Sequence, residues 1–253
     1  MPQLTDPGDL ISASWDNFIK NISSYAHFGV WYTFLAVLQW AVYIVCRSLI
    51  PDLYLRNAIL TLASIPVAVA TAAITSSLIV ATAQGMQKKP IDIRAAFSQG
   101  IHQLIPYIWV SIIIFCVYVG GLILLVIPLF IFAVWFWFAQ YFTVLDNVRG
   151  TKALSASKRL VSGRWWAVAV RILLPAIFCY VAAAFLQAIL YLLIGSVFGN
   201  PGMFFGQLAD SSDISSTHLL ITSVLPTTIN AFVLPLYLGT SILLWMDLKK
   251  AAQ

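Results

Sequence analysis

Residues 104–145 read LIPYIWVSIIIFCVYVGGLILLVIPLFIFAVWFWFAQYFTVL, a run of 42 residues without Asp, Glu, Lys or Arg. One helix of that length would measure about 63 Å at 1.5 Å per residue, whereas the hydrocarbon core of a bilayer is only about 30 Å thick. The run therefore predicts two membrane crossings, near 104–122 and 127–145. Gly120-Gly121 and Pro128 mark the expected turn between them.

The composition of the whole chain leads to the same fold class. Of 253 residues, 61% are hydrophobic and 9% are charged, whereas a soluble domain carries about 25% charged residues. Apolar content this high also excludes a disordered chain. Four more hydrophobic stretches complete a count of six spans, and Pro66, Pro226 and Pro235 fall inside two of them. The additional spans are expected near 27–46, 58–83, 165–195 and 219–246. The prediction is one all-α polytopic membrane domain over residues 1–253, with six transmembrane helices arranged as three hairpins.

The basic residues predict an orientation. Twelve of the 14 Lys and Arg residues fall on one side of the membrane, and only Arg47 and Arg56 fall on the other. The twelve include Arg171, whose long side chain can extend back to that side. Because Lys and Arg are retained on the cytoplasmic side, both termini are expected there. The N-terminus lacks a basic region, so the first span is expected to be retained and not cleaved as a signal peptide.

Three short segments on the predicted cytoplasmic side, near 9–24, 92–105 and 151–163, alternate apolar and polar residues with helical spacing. Their apolar stripes consist of Ile11, Trp15, Phe18 and Ile22; of Ile93, Phe97, Ile101 and Leu104; and of Ala153, Leu154, Ser157, Leu160 and Val161. Asp92 and Thr151 are plausible N-caps, and Gly163 is expected to end the third helix. Each segment is expected to lie in the membrane interface as an amphipathic helix.

Two of these segments align residue by residue. Ala96-Phe97-Ser98-x-Gly100 matches Ala153-Leu154-Ser155-x-Ser157, and the match extends to Trp109 and Trp166. One interpretation is a threefold repeat in which each unit is an interfacial helix followed by a transmembrane hairpin. The alternative is that any short helix preceding a membrane span shows this pattern.

Residues 121–174 carry a resemblance to a known family. The stretch contains Leu-x-x-Ile-Pro, ending at Pro128, then Asp146 at the end of a span, then Gly150 with Ala153-Leu154-x-x-Ser157, and then Gly163-Arg164-Trp165. This resembles the membrane domain that precedes the catalytic domain in some bacterial glycerophosphodiester phosphodiesterases, and the related YciC-like inner-membrane proteins. The chain departs from the pattern at Leu129, where the family often has Gly. The resemblance implies a bacterial cytoplasmic (inner) membrane location, and it carries no activity, because the phosphodiesterase chemistry belongs to a separate barrel domain.

The residue types available argue against catalysis. All nine acidic residues are Asp, and His27, His102 and His218 are far apart, as are Cys46, Cys116 and Cys179. No zinc-ligand spacing, nucleophile–base pair or phosphate-binding loop occurs. The prediction is a protein that is not an enzyme, with no catalytic residue, no cofactor, no metal site and no nucleic-acid partner.

The functional expectation rests on charged and polar residues near or within the spans. Candidate contacts to anionic lipid are Lys152, Lys158, Arg159, Arg164 and Arg171. Arg171 lies about 9 Å into its helix. Its side chain is expected to extend back to the headgroups, to act inside the membrane, or to pair with Asp146. Asp146 has the alternative of capping the turn that follows it. Candidate intramembrane polar residues are Thr71, Thr75, Gln140, Gln187 and Asn230.

These residues leave two functions open. The first is a non-catalytic inner-membrane protein that organises lipid or a membrane partner through its amphipathic helices. The second is a transporter of a small molecule or lipid that uses the intramembrane polar residues. The expected partners are the lipid bilayer, anionic phospholipids in particular, and a membrane-protein partner or a second copy of the chain.

Overall fold

The computed structural model describes residues 4–123, 126–199 and 216–252. Throughout these ranges the regular structure is helical, without a strand. The helices are α1 (Pro7–Lys20), α2 (Ile22–Leu49), α3 (Leu53–Met86), α4 (Ile93–His102), α5 (Leu104–Ile123), α6 (Val126–Phe136), α7 (Ala139–Asp146), α8 (Thr151–Val161), α9 (Trp165–Val197) and α10 (Ser216–Ala252).

The count of six spans is confirmed for the described residues. Six helical segments there are long and apolar enough to cross a membrane, namely α2, α3, α5, Ile127–Asp146, α9 and α10. The chain is therefore a multi-pass membrane protein. Helices α2, α3 and α10 extend several residues beyond the predicted spans at both ends, because helical hydrogen bonding continues past the apolar stretch into polar residues.

The two glycines that were expected to form the turn between the third and fourth spans lie within a helix instead. Gly120 and Gly121 lie inside α5, and Pro128 lies in the first turn of α6, where a proline removes no helical hydrogen bond. A Cβ on Gly121 would lie 3.1 Å from the Cα atom of Leu129. Gly121 thus permits the backbones of α5 and α6 to approach closely, as small residues do between membrane helices. Residues 124–125, between these helices, lie outside the described residues.

The fourth span contains an interruption that the sequence did not predict. Helix α6 ends at Phe136 and α7 begins at Ala139, so Trp137 and Phe138 form a turn within the segment Ile127–Asp146. Neither glycine nor proline occurs at this position, and the physical cause lies in a neighbouring helix, described below.

The three short helices are present with corrected ends. Helix α1 stops at Lys20 and not at residue 24, because the N–H of Asn21 is shared between the carbonyls of Asn17 and Phe18 and a new helix starts at Ile22. Asp92 is confirmed as an N-cap, since its carboxylate accepts a bond of 3.1 Å from the N–H of Ala95. The prediction for Thr151 is wrong: Gly150 occupies the N-cap position, and Thr151 is the first helical residue.

Contacts divide the chain into two compact units. The first unit comprises Met1–Tyr25, Ala72–Ile177 and Pro235–Gln253, and the second comprises Ala26–Thr71 and Phe178–Leu234. The fully buried side chains of the first unit include Leu10, Leu78, Phe138, Ile242 and Leu248. In the second unit, Gly29 lies against the ring of Phe232, and the hydroxyls of Thr33 and Thr228 are 3.1 Å apart.

Candidate functional site

Helices α1, α4 and α8 of the first unit each pack through a small residue. Ser14 of α1 faces Gly239 of α10, where a Cβ on the glycine would lie 3.0 Å from the serine hydroxyl. Gly100 of α4 faces Ser77 of α3. Ser157 of α8 faces the interruption between α6 and α7. Gly100 and Ser157 occupy equivalent positions in the alignment of these two segments, and each is buried against the span that precedes its helix.

The contact at Gly100 is the closest of these approaches to a backbone. A Cβ there would lie 2.5 Å from the backbone nitrogen of Ser77 and 2.6 Å from its Cα atom. The hydroxyl of Ser76 also donates a hydrogen bond of 3.0 Å to the carbonyl of Gly100. Hydrogen bonding and close packing of small residues are the main attractions between helices where lipid replaces water. These contacts fix α4 to α3.

Ser157 supplies the hydrogen bonds that the interrupted span lacks. Its hydroxyl donates to the carbonyl of Trp135 at 2.7 Å and accepts from the N–H of Phe138 at 3.1 Å. Ser157 is fully buried. An unpaired backbone group is costly inside a membrane, so an interruption persists only where other groups satisfy it. Helix α8 is therefore anchored to the fourth span by a side chain that spans the gap.

The burial of α8 follows its predicted apolar stripe, whereas the burial of α1 and α4 departs from theirs. In α8, four of the predicted residues, Ala153, Leu154, Ser157 and Val161, are buried. In α1 the buried residues are Leu10 and Ser14, while Trp15 of the predicted stripe is 51% exposed. In α4 they are Ala96 and Gly100, while Ile101 is 57% exposed. Small residues bring α1 and α4 close to their neighbours, and large apolar side chains such as Trp15 and Ile101 are left exposed.

The opposite side of α8 is basic and exposed. Lys152, Lys158 and Arg159 are all exposed, and the ammonium of Lys158 lies 4.4 Å from the centre of the Trp135 ring. A cation at that distance over an indole is attracted by the negative face of the ring. The position of Lys158 is thus defined by Trp135, the residue whose carbonyl bonds Ser157.

The other two candidate lipid contacts are occupied by protein groups. Arg164 donates to the carbonyl of Ala251 at 3.4 Å. The guanidinium of Arg171 donates to the carbonyls of Thr5 at 2.8 Å, Ala167 at 3.1 Å and Leu4 at 3.2 Å. Arg171 therefore fixes residues 4–6, which we call the N-terminal segment, against α9. The hydroxyl of Thr5 in turn donates to the carboxylate of Asp247 in α10.

Asp146 pairs with Lys249 of α10, a residue that sequence reasoning did not connect with it. The ammonium and carboxylate are 2.7 Å apart, with side chains 36% and 28% exposed, and the same ammonium lies 4.4 Å from the centre of the Trp245 ring. They line a cleft of about 630 Å³ that also includes Gln84 and Asp247. The two residues are 103 positions apart, and only their polar character at the ends of spans hinted at a meeting.

Three of the intramembrane polar candidates have hydrogen bonds to nearby groups. Gln140 donates to the hydroxyl of Ser111 at 3.2 Å, Thr71 donates to the carbonyl of Val67 within its own helix, and Gln187 hydrogen-bonds the hydroxyl of Tyr191. Thr75 is partly buried and Asn230 is exposed.

In the described ranges, no three His, Cys, Asp or Glu side chains form a group that could hold a metal ion. Cys46 and Cys179 are buried thiols, and Cys116 is exposed; all three are free. His27 and His102 are exposed, and His218 is partly buried.

Comparisons with known proteins identify no relative. No protein-family model matches the chain, and neither a curated protein nor a solved structure matches it.

Proposed function

We propose that this chain is a non-catalytic inner-membrane protein that organises anionic phospholipids, or a membrane partner, through α1, α4 and α8 at the cytoplasmic face. In this proposal the three helices lie in the membrane interface and each precedes a transmembrane hairpin. The proposal also keeps the resemblance of residues 121–174 to the membrane domain of bacterial glycerophosphodiester phosphodiesterases and the YciC-like proteins.

The observation that carries the proposal is the way α8 presents its charges. Ser157 and the buried face of α8 are bound to the fourth span, which leaves Lys152, Lys158 and Arg159 exposed on a fixed helix. Basic residues near anionic headgroups each contribute about 1 kcal/mol. Exposed large apolar residues on α1 and α4, such as Trp15 and Ile101, suit the acyl boundary just below those headgroups.

The test measures which lipids stay on the protein. The full chain is placed in nanodiscs of equal phosphatidylglycerol and phosphatidylcholine, and retained lipids are counted by native mass spectrometry. We expect the variant Lys158→Gln/Arg159→Gln to lower the ratio of retained phosphatidylglycerol to phosphatidylcholine by about 30-fold, from about 1 kcal/mol for each of the two cations. The matched control, Arg47→Gln/Arg56→Gln, also removes two cations, one from the end of α2 and one from the start of α3. An equal ratio for both variants would reject the lipid role of α8.

A cavity in the second unit favours transport as the second candidate. It measures about 420 Å³ and is lined by Gln39, Trp40, Tyr43, Ser223 and Thr227, among others. Within the described part of the chain, the buried indole N–H of Trp40 has no hydrogen-bond partner. Trp40 is one of the lining residues, and a ligand that brings an acceptor would satisfy its buried donor.

Access of water to this cavity distinguishes a transporter from a protein that only organises lipid. In a background with the three cysteines replaced by alanine, Thr227→Cys is treated with a membrane-impermeant methanethiosulfonate from each side of sealed vesicles. Transport requires labelling from at least one side, whereas Leu62→Cys, at a residue that is 66% exposed on the same unit, provides the lipid-facing control. If Thr227→Cys reacts no faster than Leu62→Cys, the transport role is rejected.

A further inference from the structure

A second cleft of the first unit carries a concentration of positive charge outside α8. It measures about 820 Å³ and lies among α1, the end of α3 and the residues that follow α3. Lys20, Lys88 and Lys89 line it, with Asp16 as an acidic neighbour, and Met86 and Leu243 form part of its apolar lining. The cleft thus combines a basic rim with an apolar surface.

The positive charges of this cleft outnumber its one negative charge. In the part of the chain that the structure describes, none of the three lysines takes part in an ion pair or a side-chain hydrogen bond, and all three are exposed. Three ammonium groups face one carboxylate, so the cleft attracts an anion. Phosphate is the anion that lysine commonly binds in proteins, where the ammonium acts as a compact point charge.

The backbone at Lys88 is held in a conformation that does not favour lysine. Lys88 has a φ of 58°, and its N–H bonds the carbonyl of Gly85 while the N–H of Lys89 bonds that of Gln84. This pair of bonds is the Schellman motif, in which the left-handed position is usually glycine. A lysine there is strained, and strained backbone residues cluster at ligand-binding sites.

Amide contacts hold the third lysine beside the other two. Asn17 donates to the hydroxyl of Tyr25 at 2.8 Å, and Asn21 donates to the side-chain oxygen of Asn17 at 2.9 Å. Asn17 also covers Gly85, where a Cβ would lie 2.5 Å from the amide oxygen. These contacts seat the end of α1, and with it Lys20, against the last turn of α3.

We infer that this cleft binds a phosphate-bearing anion between Lys20, Lys88 and Lys89, with the organic part of the ligand over Met86 and Leu243. The ligand chemistry is a phosphate ester, supplied either by the headgroup of an anionic phospholipid or by a soluble phosphate ester. This site is separate from the basic face of α8, and it stands whether or not α8 binds lipid.

The experiment uses the full chain in dodecyl maltoside micelles and three probes: glycerol 3-phosphate, dihexanoyl phosphatidylglycerol and the zwitterionic dihexanoyl phosphatidylcholine. Binding is measured by isothermal titration for the natural sequence, Lys88→Gly, Lys89→Gln and Arg94→Gln. Arg94 is an exposed cation on α4 that does not line the cleft, so Arg94→Gln is the charge-matched control. Lys158→Gln/Arg159→Gln is titrated in parallel.

The inference requires Lys88→Gly and Lys89→Gln each to weaken binding of an anionic probe about fivefold, the effect of one cation near a charged headgroup, while Arg94→Gln leaves it unchanged. Lys88→Gly must in addition raise the thermal midpoint, because glycine relieves the left-handed strain. A loss of stability together with a loss of binding would instead indicate a merely structural lysine and overturn the inference.

The probes separate the two sources of phosphate. Binding of glycerol 3-phosphate and phosphatidylglycerol alike supports a site open to soluble esters, and binding of phosphatidylglycerol alone supports a lipid headgroup site. Equal effects of the cleft variants and Arg94→Gln on every probe would overturn the inference. If only Lys158→Gln/Arg159→Gln weakens lipid binding, the function proposed for α8 survives and the cleft site fails.

Discussion

Replacing Ser157 with alanine tests the reasoning about the interrupted fourth span. The change removes one hydroxyl that bonds the carbonyl of Trp135 at 2.7 Å and the N–H of Phe138 at 3.1 Å. Since Ser157 is fully buried, no water replaces it at either backbone group. Leaving a buried donor or acceptor unpaired costs about 1–3 kcal/mol, whereas side-chain hydrogen bonds in a membrane protein average about 0.6 kcal/mol. With two bonds lost, we expect Ser157→Ala to lower the free energy of unfolding by about 1–2 kcal/mol.

Ser155→Ala provides the matched control, because Ser155 is exposed on the same helix. We expect it to change the free energy of unfolding by less than about 0.5 kcal/mol, as surface substitutions usually do. Unfolding is followed by circular dichroism in mixed micelles of dodecyl maltoside with increasing dodecyl sulfate. Hydrogen exchange at the amide of Phe138 gives a local measurement, since that N–H loses its acceptor in Ser157→Ala. Equal stability of the two variants and unchanged exchange at Phe138 would refute the bridging role.

Three further substitutions test the other contacts of the first unit, each by thermal unfolding in the same detergent unless stated. Gly100→Ala should lower the free energy of unfolding by about 1–3 kcal/mol, because the added Cβ overlaps the backbone of α3. At the control position, Gly120, a Cβ meets no atom within 4 Å, so Gly120→Ala should leave the free energy of unfolding unchanged or raise it by about 0.5–1 kcal/mol. Similar losses for both variants would contradict the close approach at Gly100. Arg171→Gln should release the N-terminal segment, seen as faster hydrogen exchange or proteolysis of residues 4–6, and unchanged protection would show that its carbonyl contacts do not hold the segment. Lys249→Met should lower the free energy of unfolding by about 1 kcal/mol or less, because its ion pair with Asp146 is partly exposed. In the Asp146→Asn background the same substitution should cost much less, since the pair is already broken. An equal loss in both backgrounds would show that the ion pair contributes nothing to stability.

The spans followed from the sequence because the bilayer itself sets their length. A block of 42 residues without a charged side chain has few alternatives to two crossings, whatever the rest of the chain does. The N-cap at Asp92 could also be predicted from the sequence, since its carboxylate needs only the N–H of Ala95, three residues away. Local capping of this kind is decided within a few residues.

The remaining features required the tertiary structure, because they join residues that are distant in sequence. Ser157 looked like one member of an amphipathic face, yet it satisfies a turn at Trp137 and Phe138 that contains no helix-breaking residue. Gly100 could not be recognised as a contact point without Ser77 opposite it, nor could the sequence pair Asp146 with Lys249.

Hydropathy determined which segments enter the membrane, because transfer from water to lipid depends on each segment's own composition. Packing inside the membrane depends instead on shape and on hydrogen-bond partners, since lipid and protein interior are equally apolar. Arg171 illustrates the difference. Its position in the sequence puts it near the end of a span, but only the fold brings the carbonyls of Leu4 and Thr5 within reach of its guanidinium.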